Sequence, residues 1–286
     1  MRIVVASGKG GVGKSMFASA LILLFSKERR VVACDCDVDA PNLGLWLGIT
    51  KYDFIERIST SEKAFIDKKK CTRCGKCEEV CNFRAIEKRD SFEVNPFLCE
   101  GCGACELVCP ADAIKIEAVK NGEIRINKTK YGFPLVSGKL CTGESGCGKI
   151  VEELKRKTEE FKYEIAILDS PAGIGCPVIA SVRGCDFAIL ITEPTPSGFS
   201  DLKRILGIVN HFKIPYGIVI NKWDINPALS TKIEKWSKEK FLGKISYDKK
   251  VIDCIVNLKP ITKSDSKVTS EINEIFENLR DVLKKR

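Results

Sequence analysis

Eight cysteines stand in two matching runs in the middle of the chain. The first is Cys71, Cys74, Cys77 and Cys81; the second is Cys99, Cys102, Cys105 and Cys109, with Pro110 directly after it. Each reads C-x2-C-x2-C-x3-C, a spacing of thiolates that suits two [4Fe–4S] clusters, because tight x2 steps let one loop wrap a corner of a cubane. Structural zinc sites pair two C-x2–4-C units at wider separation, and a third cysteine at the same step fits them poorly. Clusters that never change oxidation state are the structural alternative. A second constellation opens the chain. Gly8, Lys9, Gly10, Gly11, Val12, Gly13, Lys14 and Ser15 fit G-x4-G-K-[ST], a loop whose backbone N–H groups wrap phosphates. In such a loop Lys14 reaches the β- and γ-phosphates of ATP, and the Ser15 hydroxyl binds Mg2+. The same stretch fits G-x-G-x-x-G through Gly8, Gly10 and Gly13, with Asp35 ending the next strand, so a dinucleotide-binding fold competes. Lys14 and Ser15 argue against it, since that fold needs neither side chain there.

These residues require a scaffold, and the apolar pattern outlines one. Residues 2–6 read as a short buried strand, 15–27 as a helix with Phe17, Leu21, Leu24 and Phe25 on one face, and 31–35 as a second strand. Residues 52–67 read as a linker into the cysteine module at 68–117. Asn121-Gly122 then signals the turn of a polar hairpin. From Lys149 helices and strands alternate: helix 150–161, strand 164–169, strand 187–192, helix 199–212 and strand 216–221. This predicts an α/β fold, a mainly parallel sheet covered by helices on both faces. The cysteine module is then an insertion: residues 1–63 and 118–286 form the ATP-binding domain, and 64–117 a small α+β insert. Asp169 ends a buried strand, where an acid linked to Mg2+ belongs. Asn221 ends another, at the sheet edge where a base could be read.

The run from Lys9 to Ser15 resembles the deviant Walker A loop of the MinD/ParA/nitrogenase iron protein superfamily. The likeness continues through Asp35-Cys36-Asp37-Val38-Asp39-Ala40-Pro41-Asn42-Leu43, similar to switch I, and through residues 169–177, similar to switch II. Residues 191–198 and the Asn221 segment also look familiar. With the cysteine insert, the chain resembles MinD-like P-loop ATPases that carry an inserted ferredoxin domain. The resemblance implies that Lys9 crosses a dimer interface to the partner's nucleotide, giving an ATP-sandwiched homodimer. It implies that Asp37 orients the attacking water, so that Lys9, Lys14 and Asp37 are the candidate catalytic residues. The alternative for Asp35, Asp37 and Asp39 is a cap or turn cluster. In two-cluster ferredoxins the fourth cysteine of each run serves the other cluster. Cys71, Cys74, Cys77 and Cys109 should then hold one, and Cys99, Cys102, Cys105 and Cys81 the second. Asn82 stands where a proline is usual.

The 286 residues are 44% hydrophobic, enough for a real core, and carry a net charge of +9. A basic balance can point to nucleic acid or a membrane surface. Here the lysines are spread without a long basic block, and neither partner is expected. The apolar stretch at residues 3–6 is shorter than the ~7–15 of a signal peptide, and no run reaches the ~18 of a membrane span. Fifteen cysteines then fit metal ligation in the cytoplasm better than disulfides. Among the remaining seven, Cys34, Cys36, Cys185 and Cys254 read as buried thiols. Relatives in the superfamily place cysteines at the dimer interface to bridge a metal, and by that resemblance Cys176 leads, with Cys141 and Cys147 behind it. His211 belongs to a helix end. Residues 268–286 form an amphipathic helix expected to pack on the sheet. The reading is an ATP-hydrolysing iron–sulfur protein, with dimer switching coupled to electron transfer or cofactor delivery to an unidentified acceptor protein. The alternative is a positioning or scaffold ATPase whose ferredoxin unit docks a partner or senses redox state.

Overall fold

A computed structural model describes residues 1–285. They form two compact units: Met1–Ile55, Ile124–Lys139 and Cys147 onward in the larger, Glu56–Glu123 and Leu140–Gly146 in the smaller. The chain runs β1 (Arg2–Ser7), α1 (Lys14–Phe25), β2 (Val31–Asp35), α2 (Leu43–Trp46), β3 (Phe54–Ile58) and β4 (Ser61–Ile66). Then come α3 (Lys76–Glu79), β5 (Ile86–Lys88), β6 (Phe92–Val94), α4 (Ala104–Leu107), β7 (Ile114–Val119), β8 (Gly122–Lys128) and β9 (Pro134–Leu140). It closes with α5 (Cys147–Thr158), β10 (Ile165–Ala172), α6 (Cys176–Val182), β11 (Phe187–Thr192), α7 (Pro196–His211), β12 (Tyr216–Asn221), α8 (Pro227–Ser237), β13 (Phe241–Ile245), α9 (Lys250–Val256) and α10 (Lys267–Lys284).

One nine-stranded sheet has the order β13-β12-β11-β1-β10-β2-β9-β8-β3. Neighbours from β13 through β9 pair in parallel. The central strands are buried along nearly their whole length, which is why they read as continuous apolar runs rather than alternating ones. In α1 every residue except Ser15 is buried. The stripe Val268, Ile272, Ile275, Phe276 and Leu279 of α10 joins the same core, so the amphipathic face is occupied within the chain. No helix among the described residues is long and apolar enough to cross a membrane. The carboxyl ends of β1, β2, β11 and β12 carry Ser7, Asp35, Thr192 and Asn221, the edge where open α/β sheets bind ligands; Asp169 does not end β10, as the sequence suggests, but lies level with Asp35, three residues before Ala172.

Two expectations need correction. Residues 52–67 are not a plain linker: they contain β3 and β4. The sequence hides β3 because its residues are mostly exposed, leaving no apolar alternation to read. Asn121-Gly122 is not the turn of a β7–β8 hairpin either. β7 pairs antiparallel with β4, whereas β8 belongs to the nine-stranded sheet. Asn121 is fully buried and acts as a polar strut: its Oδ1 accepts from Thr60 N at 2.8 Å, and its Nδ2 donates to Ser145 O at 2.8 Å.

The smaller unit repeats itself at a spacing of 28 residues, Cys71 to Cys99 and Cys81 to Cys109. Each run opens a one-turn helix from a glycine in the left-handed region, Gly75 at φ 82° and Gly103 at φ 79°. Three residues after each fourth cysteine the backbone again turns left-handed, at Arg84 and Asp112. The interior is small: Ala64, Ala85, Ile86, Phe92 and Ile114 pack among Cys77, Cys99 and Cys105.

Candidate functional site

The loop after β1 is braced from below. Gly13 has φ 93°, and a Cβ there would lie 2.4 Å from Asn221 Nδ2, so both the conformation and the approach demand glycine. Asn221 donates to Val12 O at 2.8 Å and accepts from Lys222 N at 2.9 Å, while Lys222 Nζ donates to Gly11 O at 3.1 Å. The Asn221 amide thus supports the loop at Val12, and the Lys222 ammonium supports it at Gly11.

Four charged groups converge beside this loop. Lys14, the first residue of α1, is buried; burial pulls its pKa down against the opposing pull of Asp169 and Asp37. Burial pushes the Asp169 carboxyl up to about 7, with the Ser15 hydroxyl and Lys14 pulling the other way. Neither Asp169 oxygen completes a well-formed hydrogen bond among the described residues. An orphaned carboxylate next to a hydroxyl is a fitting half-shell for Mg2+, a hard cation that takes oxygen ligands and keeps several waters.

Asp35 and Asp37 divide the work of the turn after β2. Asp35 is fully buried and accepts from Asp37 N at 3.2 Å and Leu43 N at 3.0 Å. It is the structural acid that closes the turn, and burial and the Asp169 charge raise its pKa strongly. Asp37 is half-buried and accepts from Ala40 N at 3.2 Å. Burial raises its pKa, with the Ala40 N–H and Lys14 opposing. Asp39 is exposed.

Lys9 is held within its own chain. Its Nζ lies 2.7 Å from Glu193 Oε1, and Lys222 takes the other carboxylate oxygen at 3.4 Å. Burial would raise the Glu193 carboxyl, but the Lys9 hydrogen bond and the two lysine charges outweigh it and hold its pKa below the ordinary value. Sequence reasoning assigned Glu193 no role; its position directly after a buried strand was the available signal.

In the smaller unit the eight cysteines separate into two quartets. Cys71, Cys74, Cys77 and Cys109 line one small cavity, and Cys81, Cys99, Cys102 and Cys105 line another, each of about 20 Å³. Backbone N–H groups point at the sulfurs: Ala85 N donates to Cys81 Sγ and Ala113 N to Cys109 Sγ, each at 3.3 Å, and Ala64 N to Cys99 Sγ at 3.4 Å. Burial pushes the Cys105 thiol up to about 11. Among the described residues no three His, Cys, Asp or Glu side chains converge tightly enough to grip one metal ion.

The other cysteines scatter. Cys34 and Cys36 are buried with their sulfurs 3.6 Å apart. Cys185 donates to Ser181 O at 3.2 Å, and burial pushes its thiol up to about 12. Cys147 and Cys176 open α5 and α6, and Cys141 N donates to Asn121 O. Exposed His211 ends α7.

A glycine loop joining a buried central strand to a buried helix, with a lysine, a hydroxyl and an orphaned acid around it, defines a P-loop nucleotide-binding protein. The family profile for the CobQ/CobB/MinD/ParA nucleotide-binding domain matches residues 3–261. The chain belongs to that family and is a P-loop ATPase. It is 42% identical to an uncharacterised protein of Methanocaldococcus jannaschii over 99% of this chain and 98% of that one. It is 28% identical to an uncharacterised ATP-binding protein of the same organism, over 96% of each. Among solved structures, the septum site-determining protein MinD complexed with Mg-ADP from Pyrococcus horikoshii OT3 aligns with a TM-score of 0.62 and 17% identity, over 99% of this chain and 96% of that one. That likeness shows the shared fold.

Proposed function

We propose that this chain is a switch ATPase of the MinD/ParA kind whose smaller unit holds two [4Fe–4S] clusters. The observation that carries the cluster assignment is the division of eight cysteines into two quartets, each around its own cavity. The donor set fits: every quartet is all thiol, and backbone N–H groups already face three of the sulfurs. A single tetrahedral zinc with Zn–S of ~2.3 Å would draw its sulfurs to within roughly 3.8 Å of each other, and among the described residues no three cysteines converge to grip one ion. When bound, such clusters supply one-electron chemistry. The chain fixes their ligands and, through the N–H donors, favours the more negative state of what the thiolates hold.

At the nucleotide end, Lys14 neutralises the β- and γ-phosphates, Ser15 and Asp169 hold Mg2+, and Asp37 aligns the attacking water. Phosphoryl transfer is mostly positioning and charge neutralisation, and each of these groups stands at the carboxyl edge of the sheet. Lys9 serves a second copy's nucleotide after leaving Glu193, which makes the active species a homodimer.

Relatives of named role favour positioning or scaffolding as the output. Escherichia coli MinD, a septum site-determining protein, is 28% identical over 72% of this chain and 58% of its own. In that form the smaller unit docks a partner or senses redox state. The three N–H···S contacts favour a second output, electron transfer or cofactor delivery gated by nucleotide. Iron and sulfide analysis of anaerobically prepared protein tests the cluster assignment: about eight irons per chain supports it, four per cluster, and stoichiometric zinc instead overturns it. A redox titration followed by EPR, with and without a non-hydrolysable ATP analogue, then separates the outputs. A nucleotide-dependent potential supports gated transfer; potentials indifferent to nucleotide support docking or sensing.

A further inference from the structure

Shifted by 28 residues, the two cysteine runs pair ligand for ligand, yet their surroundings are opposite. Lys68, Lys69 and Lys70 before the first run correspond to Pro96, Phe97 and Leu98 before the second. Arg73 and Lys76, which line the first cavity, correspond to Gly101 and Ala104 at the second. Thr72 at the first corresponds to Glu100 at the second. All five basic side chains are exposed, as is Cys74 among them, whereas Phe97 and Leu98 leave 72% and 45% of their surface in water. Lys68 pairs with Glu93; Lys69, Arg73 and Lys76 have no ion pair among the described residues. The neighbouring acids do not cancel the difference. Glu78 has a counterpart in Glu106, while Asp67 and Glu79 stand against Asn95 and Leu107, which leaves three acids against five basic side chains at the first run. Because Cys81 lines the second cavity and Cys109 the first, Arg84 and Asp112, three residues after each, run in the other sense, but Asp112 is paired to Lys115 at 2.7 Å.

We infer that the basic rim of the first cavity is the docking surface for an acidic one-electron carrier protein, and that electrons are exchanged there rather than at the second cavity. The inference rests on the cluster assignment and names the partner for it. Positive charge beside the first cavity favours the state that holds the additional electron, and the same charge steers an acidic protein to exposed Cys74. One electron leaves the reduced carrier, which is oxidised by one; this protein is reduced by one, and no bond or proton moves. Residues 68–76 contain no aromatic side chain, so the rim lacks the stacking platforms of a single-strand nucleic-acid site.

The test uses the full chain with its clusters assembled, an acidic plant-type [2Fe–2S] ferredoxin as probe and a basic cytochrome c as control. Dissociation constants are measured at low salt and at about tenfold higher salt. Unaltered protein should bind the ferredoxin and lose it as salt screens the contact. The pair Arg73→Glu and Lys76→Glu should weaken binding at least tenfold with iron content unchanged, while Glu100→Lys at the second cavity should not weaken it. EPR should show the first-reduced signal shifting to lower potential in the double variant only. Unchanged ferredoxin binding by a double variant of normal iron content overturns this inference alone. So does tighter binding of cytochrome c, single-stranded DNA or anionic vesicles than of the ferredoxin. Protein that assembles no clusters overturns the cluster assignment itself, and this inference with it.

Discussion

Asp169→Asn offers the sharpest test of the nucleotide end. A buried carboxyl held at about 7 starts from an unfolded value of ~3.9. The folded state therefore keeps a proton that the unfolded state has released, and stability falls as pH rises from ~4 to ~7, then levels off. Some three units at 1.36 kcal/mol each make the loss at pH 8 on the order of 4 kcal/mol. Asn does not titrate but brings an N–H pair to a site with no acceptor assigned, a cost of about 1–3 kcal/mol. Ligand-free Asp169→Asn should thus be more stable than the parent at pH 8, by roughly 2 kcal/mol, and the advantage should shrink toward pH 4 and reverse there. Urea unfolding across this range, without Mg2+ or nucleotide, measures it. The same variant should lose the added stabilisation that Mg2+ gives in the presence of ATP, about 2.7 kcal/mol at a hundredfold excess over Kd. A variant less stable than the parent at pH 8, or a gap that ignores pH, would refute the argument that Asp169 is a strained acid awaiting a cation.

Lys14→Ala should abolish ATP turnover while leaving iron content intact, because the loop and the cysteine quartets lie in separate compact units; phosphate release and iron assays decide. Glu193→Gln removes the internal partner of Lys9 and should strengthen self-association with a non-hydrolysable ATP analogue, read by sedimentation velocity. Its stability cost should be below ~1 kcal/mol at pH 7, as for partly exposed pairs. Since the Glu193 pKa is depressed, that contribution is present above the unfolded value of ~4.3 and vanishes as pH falls through the folded one. Cys109→Ser and Cys77→Ser, which touch one cavity, should perturb the same EPR signal, and Cys81→Ser the other; a Cys109 variant that perturbs the signal of Cys105→Ser would contradict the grouping.

What was legible in the sequence followed from short-range constraint. The phosphate loop shows because glycine and lysine spacing is set by local backbone, and β1, β2, β11 and β12 show because burial on both faces demands unbroken apolar runs. What failed depended on partners far along the chain. β3 carries exposed residues and has no periodic signature. Asn121 reads as a turn residue until Thr60 and Ser145 are seen to use its amide. Asp35 and Asp37 are alike as letters and separate only through Leu43 N, which commits Asp35 to the turn. Glu193 matters only because folding brings Lys9 to it across 184 positions.

Those long-range contacts give the nucleotide end a consistent charge logic. Without a bound anion, each cation is matched within the chain: Lys9 by Glu193, and Lys14 by Asp169 and Asp37. Each match is incomplete. Glu193 shares its carboxylate between Lys9 and Lys222, and Asp169 keeps much of its proton at neutral pH. In the proposed cycle a magnesium triphosphate relieves both. Phosphate oxygens give Lys14 a full counter-charge, and the cation lets Asp169 ionise. Lys9 is different, because leaving Glu193 is favourable only when another polyanion comes within reach, and Lys222 remains to satisfy the carboxylate. Its release is therefore tied to the arrival of a second nucleotide-bearing copy rather than to the first nucleotide alone. The Glu193→Gln variant, by removing that competition, should bring self-association forward to lower protein concentration without making it independent of nucleotide.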